Sequence, residues 1–169
     1  MAKLFRDIDE ILPYMKTTAV PTEFLTEIGR VTVNFAILER ELSFLVEKVL
    51  DNTEKISLVS TSELSFRLLV SLATALVKEI ASIEKAQEFS KLTTFLLELE
   101  TKRNNIIHSL WGSSSEKVIR SKYTSKIKHG LRFQREELKV EDIEKIALDI
   151  SLAAYKVSIF NHKVKTVLS

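Results

Sequence analysis

Apolar residues recur at alternating intervals of four and three along much of this chain of 169 residues. The clearest stripe consists of Phe24, Ile28, Val31, Phe35, Leu38, Leu42, Leu45 and Val49. Because an α-helix turns once in about 3.6 residues, this spacing puts the whole stripe on one side of a helix. The stripe therefore predicts a long amphipathic helix, and Pro21 suits its first turn.

Similar patterns predict further helices on both sides of this one. A short helix is expected over residues 3–15, where Pro13 helps to end it. The next long helix is expected to open at "STSE", in which Ser60 and Glu63 have the spacing of a capping box. Its predicted core-facing row is Leu64, Leu68, Leu72, Leu76 and Ile80.

The last two predicted helices lie on either side of a less regular segment. One is expected over residues 84–111, and Gly112 is placed to end it. Its core-facing row is Leu92, Leu96, Leu99, Ile106 and Leu110. The other is expected over residues 141–168, with a row of Ile143, Ile146, Ile150, Ala154, Val157, Asn161 and Val164. Between them, residues 113–140 mix β-branched, aromatic and basic side chains around Gly130, which predicts a long loop or a small hairpin.

Four long amphipathic helices must bury their apolar stripes, and they do so most simply against one another. The length is typical of one domain, and no repeat or linker divides the chain. We therefore predict a single all-α domain over residues 1–169. Its expected architecture is an up-and-down bundle of four long helices with a short N-terminal helix.

Composition narrows the classes of function. The chain has no cysteine, which excludes disulfides and thiolate metal sites, and its three histidines are scattered. It has no glycine-rich phosphate loop, so neither a metal nor a cofactor is expected. No apolar run is long enough to cross a membrane, and the first residues lack a signal-peptide core. We expect a soluble, cytoplasmic protein without a membrane partner.

Charge is unevenly distributed, although the net charge is only +2. Between residues 117 and 135 there are seven basic side chains and no acidic one: Lys117, Arg120, Lys122, Lys126, Lys128, Arg132 and Arg135. One interpretation is a solvated connection between helices. The other is a surface that contacts a polyanion such as the phosphate backbone of RNA.

The end of the fourth predicted helix, "ETKRNNIIHSLWG" over residues 100–112, contains an unusual polar cluster. On a helical wheel one arc is formed by Arg103, Asn104, Ile107, His108 and Trp111, and the other side carries Leu99, Ile106 and Leu110. Asn104 and His108 are neighbours at i,i+4, and Glu100 has the spacing to pair with Arg103. Arg103 and His108 diverge, so they favour a groove shared with a second surface over a directly bonded pair.

This set of side chains is sufficient for cleavage of RNA. The 2′-hydroxyl of RNA is its own nucleophile, so the protein needs only an acid–base group and fixed positive charge. His108 and Arg103 supply these, and the Asn104 carboxamide orients either partner or the phosphate. The alternative is structural: basic residues complement the negative end of a helix dipole, and Trp111 plugs one end of the bundle.

The string "RNNIIHSLW" resembles the R-x4-6-H motif of the HEPN superfamily, and the helix containing "FAILEREL" and the "VIRSKY" segment are also similar to bacterial members. The resemblance covers about residues 21–169. It implies a metal-independent endoribonuclease in which two protomers bring their motifs together at a dimer cleft. Arg103 would then stabilise the phosphorane, His108 would act as general acid and base, and Asn104 would assist them.

Several roles follow from this resemblance less directly. Glu100, Asn105 and Trp111 would support the catalytic residues. The basic residues of the 117–135 segment would hold the RNA backbone, and a toxin or antiviral-defence role would bring an antitoxin or regulatory protein as partner. The alternative functions are a non-catalytic dimeric module that binds RNA or a protein, and a scaffold bundle with no nucleic-acid role.

Overall fold

The computed structural model describes residues 20–50, 61, 63–114, 117–126 and 130–168. The helices are α1 (Thr22–Leu50), α2 (Phe66–Ile80), α3 (Ile83–Ile107) and α4 (Val140–Leu168). The strands are β1 (Leu110–Ser114), β2 (Lys117–Lys126) and β3 (Gly130–Glu137). The described chain is thus mostly helical, as predicted, with a small sheet. The helix predicted over residues 3–15 and the capping residue Ser60 lie outside the described residues.

The predicted stripes of α1 and α4 form the centre of the core. On α1, Val31, Phe35, Leu38, Leu42 and Leu45 are buried, whereas Ile28 and Val49 at its ends are only half-buried. On α4 the buried row includes Ile143, Ile150, Val157 and Asn161. The 3.6-residue period therefore identified the face of each of these helices that packs inward.

The beginning and the buried face of α2 differ from the prediction. The helix starts at Phe66 instead of at the "STSE" segment, and the Ser65 hydroxyl caps it by accepting a hydrogen bond from the Leu68 amide at 3.3 Å. Leu68 was predicted to face the core but is 58% exposed. The buried residues are Phe66, Leu69, Val70, Ala73 and Val77. The Phe66 ring packs against Phe35 at 4.6 Å between centroids, which directs this other face inward.

The direction of the helices also differs from an up-and-down bundle. The Asn34 side chain of α1 donates to the Ala147 carbonyl of α4 at 2.9 Å, and Lys48 donates to the Asn161 carbonyl at 3.4 Å. Both pairs advance in the same order along the two helices, so α1 and α4 run parallel. In an up-and-down bundle the first and last of four helices would be antiparallel.

Residues 113–140, predicted as a long loop or a small hairpin, contribute to a three-stranded antiparallel sheet, in which β2 and β3 are an antiparallel pair and β1 is a further strand. The strand order is β1-β2-β3, so each strand pairs with the next one in sequence. The sheet takes in Leu110 and Trp111, which were predicted to be the last residues of a helix. Gly112 lies within β1 and does not terminate α3.

Candidate functional site

The C-terminal turn of α3 is capped by side chains that follow it. The last carbonyls of a helix have no donors within the helix, and they form the negative end of its dipole. Ser109 donates to the Asn105 carbonyl at 2.6 Å, and the Trp111 indole donates to the Ile106 carbonyl at 2.9 Å. The predicted arc of Arg, Asn, His and Trp on one helix is therefore wrong for Trp111, because it reaches back from β1.

Strand β2 supplies the rest of this cap. Arg120 donates to the Asn105 carbonyl at 2.9 Å, and Lys122 donates to the Asn105 side-chain oxygen at 2.7 Å. Arg120 also pairs with Glu136, its cross-strand neighbour on β3. The Arg120 side chain is only 13% exposed. Asn105 is thus the point at which the sheet docks on α3, and two positive charges lie where the helix dipole favours them.

The two faces of the sheet have different surroundings. Because side chains alternate along a strand, Val118, Arg120 and Lys122 share the face that covers the end of α3. The opposite face carries Leu110, Ile119, Ser121, Phe133 and Arg135, which line an open groove of about 280 Å³. We call these the inner and outer faces of the sheet.

The side chain of Arg103 extends from α3 toward α1, and its charge is partly enclosed. Its guanidinium donates to the Asn104 side-chain oxygen at 2.9 Å and lies 4.8 Å from the centroid of the Phe35 ring. The Nε atom is buried and has no hydrogen-bond partner among the described residues. Within the same part of the chain, no carboxylate lies within ion-pair distance of Arg103.

Glu39 of α1 is the acidic group whose charge interacts with Arg103, and sequence reasoning missed it. Burial raises the pKa of the Glu39 carboxyl above its usual value, while the positive charge of Arg103 acts in the opposite direction. Glu39 lies 64 positions before Arg103, next to the apolar stripe of α1, and no local spacing links the two residues.

The predicted partner of Arg103 was Glu100, and this prediction is wrong. The Glu100 carboxylate instead accepts a hydrogen bond from Arg67 of α2 at 2.9 Å, and only 13% of its side chain is exposed. Glu100 therefore joins α3 to α2 and does not orient the Arg103 guanidinium.

His108 occupies the C-cap position of α3 and is exposed to solvent. Its backbone amide donates to the Asn104 carbonyl at 3.1 Å. Its imidazole makes no hydrogen bond to the described residues, and in particular none to Arg103, as their spacing predicts. The structure thus brings Arg103 and Asn104 into contact and leaves His108 exposed one turn further along.

The basic residues of the sheet fall into three groups. Arg120 and Lys122 are used by the cap, Lys117 pairs with Glu137 at 2.8 Å, and Arg135 is exposed on the outer face. The side chains of Lys126, Lys128 and Arg132 lie outside the described part of the chain. Their predicted contact with RNA stays a prediction, as it does for the other four.

Comparison with known protein families, curated proteins and solved structures finds no match for this chain. Over the residues that the structure describes, no helix is long and apolar enough to cross a membrane. Across the same residues, no three His, Asp or Glu side chains are grouped so that they could hold a metal ion.

Proposed function

We propose that this protein is a metal-independent endoribonuclease of the HEPN type. The observation that carries the proposal is the environment of Arg103. Its guanidinium is held by Asn104 and Phe35 and keeps a buried Nε–H without an acceptor among the described residues. Among the described residues no carboxylate pairs with this partly enclosed cation, so an anionic ligand such as phosphate is a favourable partner for it.

The reaction uses the 2′-hydroxyl of the substrate. A base takes its proton, the 2′-oxygen bonds to phosphorus, and the bond from phosphorus to the 5′-oxygen breaks with protonation of the leaving oxygen. The products are a 2′,3′-cyclic phosphate and a 5′-hydroxyl. Arg103 neutralises the charge that develops on the non-bridging oxygens of the phosphorane, Asn104 holds the guanidinium, and His108 transfers the protons.

A second copy of the chain completes this site in the proposal. Because His108 and Arg103 do not meet within one protomer, a homodimer that faces these residues toward each other supplies both groups to one phosphate. Two histidines then serve as base and acid for the two proton transfers. A toxin or antiviral-defence role, with an antitoxin or regulatory partner, belongs to the same proposal.

The test is cleavage of single-stranded RNA by the full chain in the presence and absence of EDTA. Arg103→Ala and His108→Ala should each lower the rate by at least about 100-fold, because each loses a group that acts in the transition state. Wild-type cleavage should be unchanged by EDTA. An equal mixture of the two variants should regain part of the activity, since a mixed dimer retains one Arg103 and one His108.

Two exposed residues outside the proposed catalytic set provide matched controls. His162→Ala removes an exposed histidine of α4, and Lys102→Ala removes an exposed basic residue next to Arg103 in sequence. Both should cleave at the wild-type rate. Cleavage by His108→Ala at the wild-type rate would rule the proposal out, and so would a strict need for added metal.

The runner-up is a dimeric helical module that binds RNA or a protein without cleaving it. The structural roles of Trp111, Asn105 and Arg120 favour it, because the α3 cap explains these residues without chemistry. It predicts RNA or protein affinity that is retained in His108→Ala, with no cleavage by wild type.

A further inference from the structure

The outer face of the sheet is built from cross-strand rows of described residues. Leu110, Ser121 and Arg135 lie side by side across β1, β2 and β3. The next row consists of Gly112, Ile119 and Glu137, which are also direct partners. The groove over these rows has a volume of about 280 Å³ and is open to solvent.

Aromatic and basic groups occur together on this face. Phe133 is 55% exposed, although aromatic side chains are usually placed where they bury most of their area. Arg135 lies two residues further along β3 on the same side, about 7 Å away by the rise of a strand. The apolar floor between β1 and β2 is flat because Gly112 has no side chain.

We propose that the outer face binds single-stranded RNA, with one base stacked on Phe133 and an adjacent phosphate bound by Arg135. Exposed aromatic rings on a sheet are an effective platform for unpaired bases, and arginine binds phosphate through its fork of donors. By the alternation of side chains, Lys117 and Arg135 share the outer face, and Lys117 pairs with Glu137 at 2.8 Å. Arg135 is therefore the basic side chain of this face, among the described residues, that is proposed to bind phosphate.

The position of the groove connects it to the proposed catalytic residues. Leu110 lies at its edge, two residues after the exposed His108. An RNA strand held on the outer face therefore passes close to the imidazole. This part of the inference rests on the proposed function, whereas the binding of single strands by Phe133 and Arg135 does not.

We expect the outer face to bind single strands and not duplexes, because its proposed contact with a base is the Phe133 ring. A duplex hides the planar surfaces of its bases, so Phe133 would have nothing to stack on. Neither Phe133 nor Arg135 distinguishes ribose from deoxyribose. Single-stranded DNA of the same sequence is therefore expected to bind within about threefold of RNA.

Binding can be measured by fluorescence anisotropy with a labelled, single-stranded RNA and the full-length His108→Ala protein, which prevents cleavage. Adding Phe133→Ala should weaken binding by roughly 5- to 150-fold, and Phe133→Tyr should restore it because the ring is retained. Adding Arg135→Ala should also weaken binding. It should reduce the slope of log affinity against log salt by about 0.7, the value for one lost phosphate contact on a single strand.

Matched substitutions on α4 control for general effects of exposed apolar and basic residues. Leu148 is 56% exposed, close to the value for Phe133, and Lys145 is exposed like Arg135. Leu148→Ala and Lys145→Ala should leave the affinity unchanged. If these variants weaken binding as much as the Phe133 and Arg135 variants do, the outer face is not the binding surface.

Gly112→Val blocks the groove without changing either proposed contact residue. A Cβ atom at Gly112 would meet no atom within 4 Å, and the backbone there does not adopt a conformation that requires glycine. Valine suits a strand, so the variant should fold. Its side chain should project over the outer face and weaken binding of single strands. Unchanged affinity in Gly112→Val, or equal loss of duplex and single-strand binding in Phe133→Ala, would overturn the inference.

The same experiment separates this inference from the proposed function. If wild type binds RNA through Phe133 and Arg135 but never cleaves it, the nuclease proposal fails and the binding surface remains. If wild type cleaves RNA and the variants at Phe133, Arg135 and Gly112 bind and cleave it normally, the binding surface is refuted and the nuclease proposal remains.

Discussion

Arg103 and Glu39 are opposite charges that share a partly buried environment without forming an ion pair. Burial disfavours the ionised carboxylate, and the charge of Arg103 only partly compensates for that. The folded protein therefore holds the Glu39 proton more tightly than the unfolded chain does. The charge of the Glu39 carboxylate acts on Arg103, so protonation of Glu39 changes the electrostatic field at the proposed phosphate site.

This coupling predicts a pH dependence of stability. The contribution of Glu39 to the free energy of unfolding is complete below its usual pKa of 4.5 and is lost as pH rises through the raised value. In Glu39→Gln this loss disappears, so its stability should fall less than that of wild type as the pH rises above 4.5. Urea denaturation at a series of pH values measures the difference.

Glu144 provides the control for this experiment because it is an exposed glutamate of α4. Glu144→Gln should give a pH profile parallel to that of wild type. If the profile of Glu39→Gln were also parallel to that of wild type, it would contradict a raised pKa for the Glu39 carboxyl. Arg103→Gln should move the loss of stability to higher pH, since it removes the charge that lowers the pKa of Glu39.

At the scale of elements, the end of α3 shows where the sequence pattern misleads. Gly112 has the position of a helix-terminating glycine, yet α3 ends earlier. The actual cap comes from Trp111 and from Arg120, which is 15 positions beyond Asn105 in sequence. A local reading cannot find a cap that is formed by tertiary contacts.

The sheet was anticipated only as a possible small hairpin, for a related physical reason. Strands with one solvated face usually place polar residues outward, and this alternation identifies them. Here Arg120 and Lys122 point inward, because the surface that they cover is the carbonyl end of a helix. The outer face carries the apolar Ile119 and Phe133 instead. The apolar stripes of α1 and α4 were predictable, since an ordinary core covers them.

The contribution of the C-terminal cap of α3 to stability can be tested. Trp111→Phe keeps an aromatic ring but removes the indole N–H that binds the Ile106 carbonyl. We expect the free energy of unfolding to fall by about 1 kcal/mol, the net value of one such hydrogen bond. Urea denaturation at neutral pH measures this. Tyr155→Phe, at an exposed position of α4, should change stability by less than about 0.5 kcal/mol. No loss in Trp111→Phe would mean that packing alone fixes the end of α3.

At the scale of the whole molecule, a polar contact joins the first and last described helices. Asn161 is 2% exposed, and its amide donates to both the carbonyl and the carboxylate of Glu41 at 3.0 Å. In the sequence it looks like a single polar break in an apolar row. In the structure it fixes how α4 is aligned along α1, because only this register places both Glu41 oxygens within reach of the amide nitrogen.

Asn161→Ala should therefore be strongly destabilising. It removes two hydrogen bonds at a buried position and leaves a small cavity, for an expected loss of about 2 kcal/mol. Thermal and urea denaturation both measure it, and Ser151→Ala at an exposed position of the same helix is the control. A loss below about 0.5 kcal/mol would show that the contact does not contribute to the α1–α4 interface.

The parallel pairing of α1 with α4 determines how this chain must fold. The hydrogen bonds from Asn34 to Ala147 and from Lys48 to Asn161 each span 113 positions. During synthesis the apolar stripe of α1 therefore emerges long before the helix that covers it most extensively. Closing a loop of this length has a high entropic cost before any contact is gained, which makes folding slower than in a bundle of sequential neighbours. Until α4 leaves the ribosome, the nascent chain exposes a long apolar helix face, the kind of surface to which chaperones bind.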